Sequence, residues 1–150
     1  MVLLAPSILE AFLVVIDNGN IQVIVDLYMD TRSFTFWFYA KELDQFGFVV
    51  DFSGLKPLEE KLVKHFDHTF LVNSDDPLLP EWQELHAKGG LNLRIMQNVG
   101  MESSAELVWK WANSFLLEKD EGRTCCWLAE ARENENNSAR FKLIPDWYTG

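Results

Sequence analysis

Asp67 and His68 are neighbours in the sequence and follow a segment with the apolar periodicity of a helix. A carboxylate beside an imidazole can carry out acid–base chemistry, because the carboxylate orients the ring and stabilises its protonated form. A histidine also occurs where a helix simply ends, since its protonated ring interacts favourably with the helix dipole. The pair therefore predicts either a site of proton transfer or a helix cap, and the residues alone leave both interpretations open.

A metal site is a second interpretation of the same segment. His65 lies three residues before His68, a spacing at which two side chains share one face of a helix. With Asp67 or Glu60 nearby, the two histidines form a candidate zinc site. A solvated His65 at the end of the helix explains the spacing without any metal, and it is the interpretation that we favour.

The composition is that of a folded domain with a strong negative charge. The 150 residues, 48% of them hydrophobic, are enough for a single domain over 1–150 with a buried core. The net charge of −10 comes from 23 acidic and 13 basic residues. Because phosphate backbones are bound mainly by Lys and Arg, this charge argues against nucleic acid as a partner.

The cysteines and the N-terminus bear on the cellular compartment. Cys125 and Cys126 are the only cysteines, and their adjacency suits neither an ordinary disulfide nor a metal site. The apolar N-terminus has no Lys or Arg before Arg32 and is interrupted by Glu10, so we expect neither a signal peptide nor a membrane span. The sequence predicts a cytoplasmic protein with no membrane partner.

The order of the predicted elements indicates an α+β fold, in which an antiparallel sheet carries two main helices on one face. The turn between the first two strands contains Asp-Asn-Gly, which is typical of a hairpin. We expect the first main helix to begin at an N-cap, Ser53, and the second at a capping box of Ser103 and Glu106. The first strand is an N-terminal addition, and 74–100 is an insertion. The expected strands are 8–16, 20–29, 33–43, 48–52, 91–96, 124–134 and 139–144, and the expected helices are 53–66, 80–89 and 103–117.

Three blocks of the chain resemble, in the same order, the family of 6-pyruvoyl-tetrahydropterin and 6-carboxy-tetrahydropterin synthases. Residues 41–56, "KELDQFGFVVDFSGLK", resemble its Gly-x-Val-Val-Asp-Phe turn and helix start, and residues 66–73, "FDHTFLVN", its Asp-His-x-x-Leu-Asn box. Residues 103–111, "SSAELVWKW", resemble its Pro-Thr-x-Glu-Asn-Leu-Ala-x-Trp helix. The resemblance extends over 20–145 and implies the tunnelling fold (T-fold), whose subunits form a ring with pockets between them.

A fourth block concerns the ligand. Residues 129–141, "AEARENENNSARF", resemble the closing strands of the family. Without a gap, Glu133 matches the glutamate that anchors a pterin through its guanidine-like N–H edge, a strong ionic hydrogen-bonded pairing. A slip of three residues assigns that role to Glu130 instead. The resemblance thus implies Glu133 as the ligand-binding residue, with Glu130 as the alternative.

The zinc ligands and the catalytic cysteine of the family are missing from the matching positions. A His-Gly-His pair of the family falls near Met29, Asp30 and Thr31, and the loop that carries its cysteine has none here. In the family, zinc stabilises charge as a C–H bond breaks, and the thiolate removes the proton. The resemblance therefore implies a chain without the zinc cofactor, in which Asp67 and His68 are the remaining catalytic candidates.

We accordingly expect a divergent, zinc-free relative of these lyases of the queuosine and biopterin pathways. It would bind a pterin or purine-like small molecule at a subunit interface, with synthase activity reduced or lost. A metal-free, aldolase-like T-fold enzyme that uses His68 or a Lys as base is one alternative, and a non-catalytic structural or regulatory subunit is another. Strands 33–43 and 124–133 need their edges covered, which also favours a homo-oligomeric ring.

Overall fold

The computed structural model describes residues 8–17, 19–29, 31–51 and 53–148, and over 8–17 the backbone alone. Five strands form an antiparallel sheet in the order β1-β2-β3-β6-β7, while β4 and β5 form a separate parallel pair. The helices α1 and α3 pack on one face of the sheet, so the predicted α+β fold is confirmed. The elements are β1 (Ile8–Asp17), β2 (Asn20–Tyr28), β3 (Ser33–Ala40), α1 (Lys56–Phe66), β4 (Phe70–Asn73), α2 (Leu79–Ala87), β5 (Leu93–Met96), α3 (Met101–Asp120), β6 (Thr124–Asn134) and β7 (Asn137–Lys142).

The core lies between the sheet and the two main helices. On β3 the alternating Phe34, Phe36 and Phe38 all face the helices and are buried. The ring of Phe34 lies 4.8 Å from that of Phe66 at the end of α1. Burying one such side chain contributes about 1.5–3 kcal/mol, so this aromatic face anchors α1 to the sheet. From α3 the fully buried residues are Ala105, Val108, Ala112 and Leu116.

The order of the strands corrects our argument about exposed edges. β3 and β6 lie inside the sheet and pair with each other, with Thr35 opposite Glu130. Their outer neighbours are β2 and β7, so neither strand has an open edge. The edges of the sheet are β1 and β7, and any edge-to-edge pairing between subunits involves these two strands.

A β-bulge in β6 changes which of its side chains face the helices. Phe38 is opposite Cys126, whereas Trp37 is opposite Leu128, so Trp127 is the extra residue. Before the bulge the even-numbered Cys126 faces the core, and after it the odd-numbered Ala129 does. A bulge shifts the alternation of a strand by one residue, and the side chains after Trp127 therefore change face as far as Arg132, where a second register shift begins.

Asn113 of α3 binds the backbone of β6 beside this bulge. Its Oδ1 accepts a hydrogen bond from the backbone N–H of Cys126 at 2.8 Å, and its Nδ2 donates to the Cys126 carbonyl at 2.9 Å. The same Nδ2 donates to the Trp109 carbonyl at 3.1 Å. Asn113 is only 4% exposed, so it joins the longest helix to the sheet with a fully buried amide.

Two predicted strand limits in the first half of the chain are wrong. β3 ends at Ala40 rather than at 43, and no strand forms over the described part of 48–52; Phe52 lies outside the described residues. Other groups satisfy the backbone there. The Asp44 carboxylate accepts two backbone N–H bonds of the loop, and Arg123 donates to the Val49 carbonyl at 2.7 Å. Backbone groups that already have these partners do not need the hydrogen bonds of a strand.

Both predicted helix caps are also wrong. Ser53 opens a short 3-10 turn and donates its hydroxyl to the Asp51 carboxylate, and α1 follows from Lys56. α3 begins at Met101, so Ser103 lies inside the helix and its predicted partner Glu106 pairs with Lys110 at 3.1 Å instead. Neither helix has a side-chain cap.

The segment 74–100, predicted as an insertion, contains α2 and β5, and β4 precedes it. β4 and β5 are parallel, with Val72 opposite Ile95, and α2 connects them. The sequence did not predict β4, because its four residues follow the end of α1 with no turn signal between. None of the helices that the structure describes has the length and apolarity needed to cross a membrane.

Asn113→Ala tests whether the buried amide stabilises the sheet. It leaves the N–H and carbonyl of Cys126 without their side-chain partner, and we expect a loss of roughly 2–4 kcal/mol in the free energy of unfolding. Urea denaturation measures this loss. The control is Ser114→Ala on the exposed side of the same helix, which should change stability by less than about 0.5 kcal/mol. Equal effects of the two changes would contradict a specific role for Asn113.

Candidate functional site

A cleft of about 470 Å³ lies at the end of the sheet where β3 begins and β6 ends; we call it the end cleft. Its wall combines charged groups from the sheet with apolar groups from the elements packed on it. Most of the residues that line it are polar or charged. The lining residues are Thr31, Arg32, Phe66, Thr69, Leu71, Val99, Gly100, Met101, Glu102, Glu133 and Asn137.

Glu133 lines the end cleft and lies next to the last residue of β6. The pairing of β6 with β7 shifts register between Arg132 and Asn134, so Glu133 lies at an irregularity of the strand, two residues after the core-facing Ala131. The Asn137 side chain donates a hydrogen bond of 2.6 Å to Glu133 Oε2 across the β6–β7 turn. The carboxylate is thus positioned by a neighbour and remains exposed to the cleft.

Glu130, the alternative anchor, lies on the opposite face of the sheet. It accepts hydrogen bonds from Arg140 Nε at 2.6 Å and Arg132 Nη2 at 3.0 Å, and it is 5% exposed. Burial alone raises the pKa of Glu130, but the bonds from Arg140 and Arg132 outweigh it and lower that pKa below its ordinary value. Its carboxylate is therefore already paired within the sheet and does not line the end cleft.

Arg32 faces Glu133 from the turn before β3. The centre of its guanidinium lies 5.3 Å from the centre of the Phe66 ring. Its Nε and Nη1 atoms are buried and have no acceptor among the residues that the structure describes. Burial lowers the pKa of Arg32, while the negative charge of Glu133 raises it. Sequence analysis did not single out Arg32, because one Arg before a strand is not part of a recognisable motif.

Asp67 and His68 lie beside the end cleft but do not line it. Asp67 is the C-cap of α1, with its N–H bonded to the Val63 carbonyl at 2.9 Å, and His68 adopts a left-handed backbone with φ of 53°. The distance from Asp67 Oδ1 to His68 Nε2 is 3.7 Å. The pair thus occupies a helix end, as one interpretation requires, and its role in proton transfer stays a prediction.

His65 points to the other side of α1, toward a cavity of about 830 Å³ that it lines with Trp111. Its ring meets the Trp111 ring edge-on, with centroids 5.2 Å apart, and its Nε2 atom is buried without a partner among the described residues. Burial lowers the pKa of His65, and the positive charges of Arg94, Arg32 and Lys61 lower it further.

The residues present do not fit a zinc ion at the family position. Of the three residues expected there, Asp30 lies outside the described residues, while Met29 offers a thioether and Thr31 a hydroxyl. Arg32 adds a guanidinium, whose positive charge opposes a cation. Over the described ranges no cluster of three or more His, Cys, Asp or Glu side chains assembles elsewhere, His65 and His68 included. The absence of zinc from the protein remains a prediction.

The comparison with protein families agrees with this architecture. The profile described as 6-pyruvoyl tetrahydropterin synthase matches residues 30–143. The chain belongs to the 6-pyruvoyl tetrahydropterin synthase family. The match covers the strands β3, β6 and β7 that frame the end cleft, and it confirms the resemblance read from the sequence blocks.

One solved structure extends the comparison to the fold. The crystal structure of an uncharacterized protein from Wolinella succinogenes has a TM-score of 0.61, covering 91% of this chain and 97% of that chain, at 16% identity. At this identity the likeness concerns the fold alone. No curated protein matches the sequence.

His65 is expected to make stability depend on pH. Its pKa is lower in the folded than in the unfolded chain, so the unfolded chain takes up the proton first as pH falls. The stabilisation is complete above the unfolded value of about 6.5 and is lost as pH falls toward the folded pKa. Melting temperatures measured from pH 7.5 down to about 5.5 should therefore fall less in His65→Gln than in the wild type.

The control for this experiment is Lys64→Gln, which removes a positive charge from an exposed position of the same helix. It should retain the pH dependence of the wild type. If His65→Gln loses as much stability as the wild type over this range, the pKa of His65 is the same in the folded and the unfolded chain, and the prediction is wrong.

Proposed function

We propose that the protein binds a pterin or purine-like small molecule in the end cleft, without zinc-dependent synthase activity. The observation that carries this proposal is the position of Glu133. Of the two glutamates that match the family anchor, Glu133 faces the end cleft, while Glu130 is paired to two arginines on the other face. The proposal therefore assigns the anchor to Glu133.

The carboxylate of Glu133 suits the guanidine-like edge of such a ring. That edge presents two N–H donors side by side, and a carboxylate accepts both in parallel. Of the two oxygens of the Glu133 carboxylate, only Oε2 accepts a side-chain hydrogen bond from the described residues, and the donor is Asn137. Oε1 and the second lone pair of Oε2 remain as acceptors for a ligand.

Four apolar side chains of the end cleft offer contacts to the faces of an aromatic ring. Phe66, Leu71, Val99 and Met101 line it together, and they come from three separate segments of the chain. Apolar contact on the faces and a polar anchor at one edge is the usual arrangement of a small-molecule site.

The chain lacks a thiolate that could replace the family base. Cys125 and Cys126 are both fully buried, on opposite faces of β6. Burial raises the pKa of Cys125 to about 12 and that of Cys126 still further, so both stay protonated thiols at neutral pH. With neither this base nor a fitting zinc site, the proposed function is binding, and Asp67 and His68 are at most a residual proton-transfer pair.

Assembly and location complete the proposal. We infer a homo-oligomer that pairs the sheet edges β1 and β7, with Asp67 and His68 near a cleft shared by two subunits. A cytoplasmic location follows from the same sequence arguments as before. An aldolase-like reaction and a purely structural role are the outcomes that would replace binding.

Glu133→Gln tests the anchor, because it removes the charge and keeps the shape. Pterin and guanine should raise the melting temperature of the wild-type protein in buffer that contains EDTA. In Glu133→Gln this shift should disappear, since a charge-assisted hydrogen bond contributes roughly 1.5–3 kcal/mol, or about tenfold to a hundredfold in affinity. Calorimetry measures the affinities directly.

Glu135→Gln is the matched control, since Glu135 is exposed in the adjacent turn and does not line the end cleft. It should bind like the wild type. Binding that appears only when zinc is added would contradict the zinc-free site. If neither ligand shifts the wild type, the chain retains the family fold without its ligand, and if ligand disappears on incubation, the enzymatic alternative holds.

A further inference from the structure

The loop 43–48 presents apolar side chains to solvent at the end of the sheet opposite the end cleft; we call it the Phe46 loop. It follows β3 and lies beside the start of β6. Leu43 is 44%, Phe46 71% and Phe48 50% exposed, and Phe46 is the most exposed large apolar side chain of the described residues. Single exposed apolar residues are common on protein surfaces, but three within six residues form a patch that folding alone does not explain.

Hydrogen bonds hold the Phe46 loop in one conformation. The Asp44 carboxylate accepts the backbone N–H groups of Phe46 at 2.8 Å and of Phe48 at 2.9 Å. The N–H of Asp44 donates to the Phe48 carbonyl at 2.9 Å. The N–H of Gly47, which has a φ of 84°, donates to the Asp44 carbonyl at 3.0 Å. An apolar side chain on a preorganised loop loses little conformational entropy when it binds a partner.

Arg123 holds both ends of the Phe46 loop. It donates hydrogen bonds to the carbonyl of Glu42 at 2.9 Å and to that of Val49 at 2.7 Å, one on each side of the loop. The Asp120 carboxylate lies 3.5 Å from the same guanidinium, whose side chain is 21% exposed. Because these acceptors belong to the chain itself, Arg123 stabilises the loop and contributes little positive charge to the surface around it.

Carboxylates form much of the wall of a depression of about 510 Å³ beside the Phe46 loop. The backbone N–H of Phe48, more than that of Phe46, lowers the pKa of Asp44, so this carboxylate is ionised at neutral pH. The net charge of −10 on the whole chain adds to the negative potential. Such a surface repels the phosphates of nucleic acids and anionic lipids and attracts Lys and Arg. The charged residues of the depression are Glu42, Asp44, Asp51, Asp120, Lys119 and Arg123.

We propose that the Phe46 loop is a docking site for another protein, which presents an apolar segment flanked by Lys or Arg. Phe46 is the apolar anchor of this interface, and the surrounding carboxylates face the cations of the partner. Buried aromatic anchors carry most of the energy of an interface, while charges at its rim set orientation and association rate. The interface is independent of any ligand in the end cleft, since the two lie at opposite ends of the sheet.

The test uses a fluorescent peptide of defined chemistry on the full chain. The probe is a helical peptide of about 18 residues, or five turns, built from Leu and Lys so that one face is apolar and the other cationic. One comparison peptide has Glu in place of Lys, and another has Ser in place of Leu. By fluorescence anisotropy, the Leu–Lys peptide should bind the wild type at least about tenfold more tightly than either of them. Its affinity should fall as salt is added.

Phe46→Ser is the decisive variant, because the side chain is largely exposed and the fold does not depend on it. It should weaken binding of the Leu–Lys peptide about tenfold or more. Glu42→Gln removes a rim charge and should weaken binding by up to about fivefold. Leu85→Ser and Glu81→Gln are the matched controls, since both residues are exposed on α2, outside the Phe46 loop, and both variants should bind like the wild type.

Four results would overturn the proposal. No binding of the Leu–Lys peptide, or equal binding of the Leu–Glu peptide, contradicts the chemistry assigned to the partner. Equal losses in Phe46→Ser and Leu85→Ser indicate general apolar adhesion. Vesicles of phosphatidylcholine that retain the wild type but not Phe46→Ser indicate a membrane surface instead. A smaller assembly of Phe46→Ser in light scattering indicates that a second copy of the chain covers the loop.

Discussion

The bulge at Trp127 is the constraint on which the arrangement of the site depends. It reverses the alternation of β6, so that the core-facing residues pass from even to odd numbers between Cys126 and Ala129. After this reversal Glu130 faces two arginines on the other side of the sheet, and a second register shift between Arg132 and Asn134 lies where Glu133 lines the end cleft. Asn113 of α3 pairs with both backbone groups of Cys126 beside the bulge, so a helix residue some distance from the cleft stabilises the register that builds it.

The same constraint explains which part of the site the sequence predicted. Alternation and helical periodicity were enough for the α+β fold and for the two main helices, because these patterns extend over many residues. The sequence left open whether Glu130 or Glu133 is the anchor, because no local pattern indicates a single extra residue in a strand. The structure places the two carboxylates on opposite faces, and only Glu133 lines the end cleft.

Two errors of the sequence interpretation involve contacts between distant segments. Where a strand was expected after Gly47, Arg123, far along the chain, donates to the carbonyl of Val49. A similar reason explains why the sequence analysis missed Arg32: its burial depends on Phe66, which α1 brings over it. Local sequence shows helices and strands, whereas the pairing of an isolated charge depends on the complete fold.

The end cleft brings groups of both charges into one wall. A guanidinium and a carboxylate take part, and both belong to the chain itself. A crystal structure of the protein with pterin tests this account most directly. We predict that the guanidine-like edge of the ring lies within hydrogen-bond distance of the Glu133 carboxylate. A ligand bound instead in the cavity lined by His65 and Trp111, with Glu133 free of it, would contradict the account.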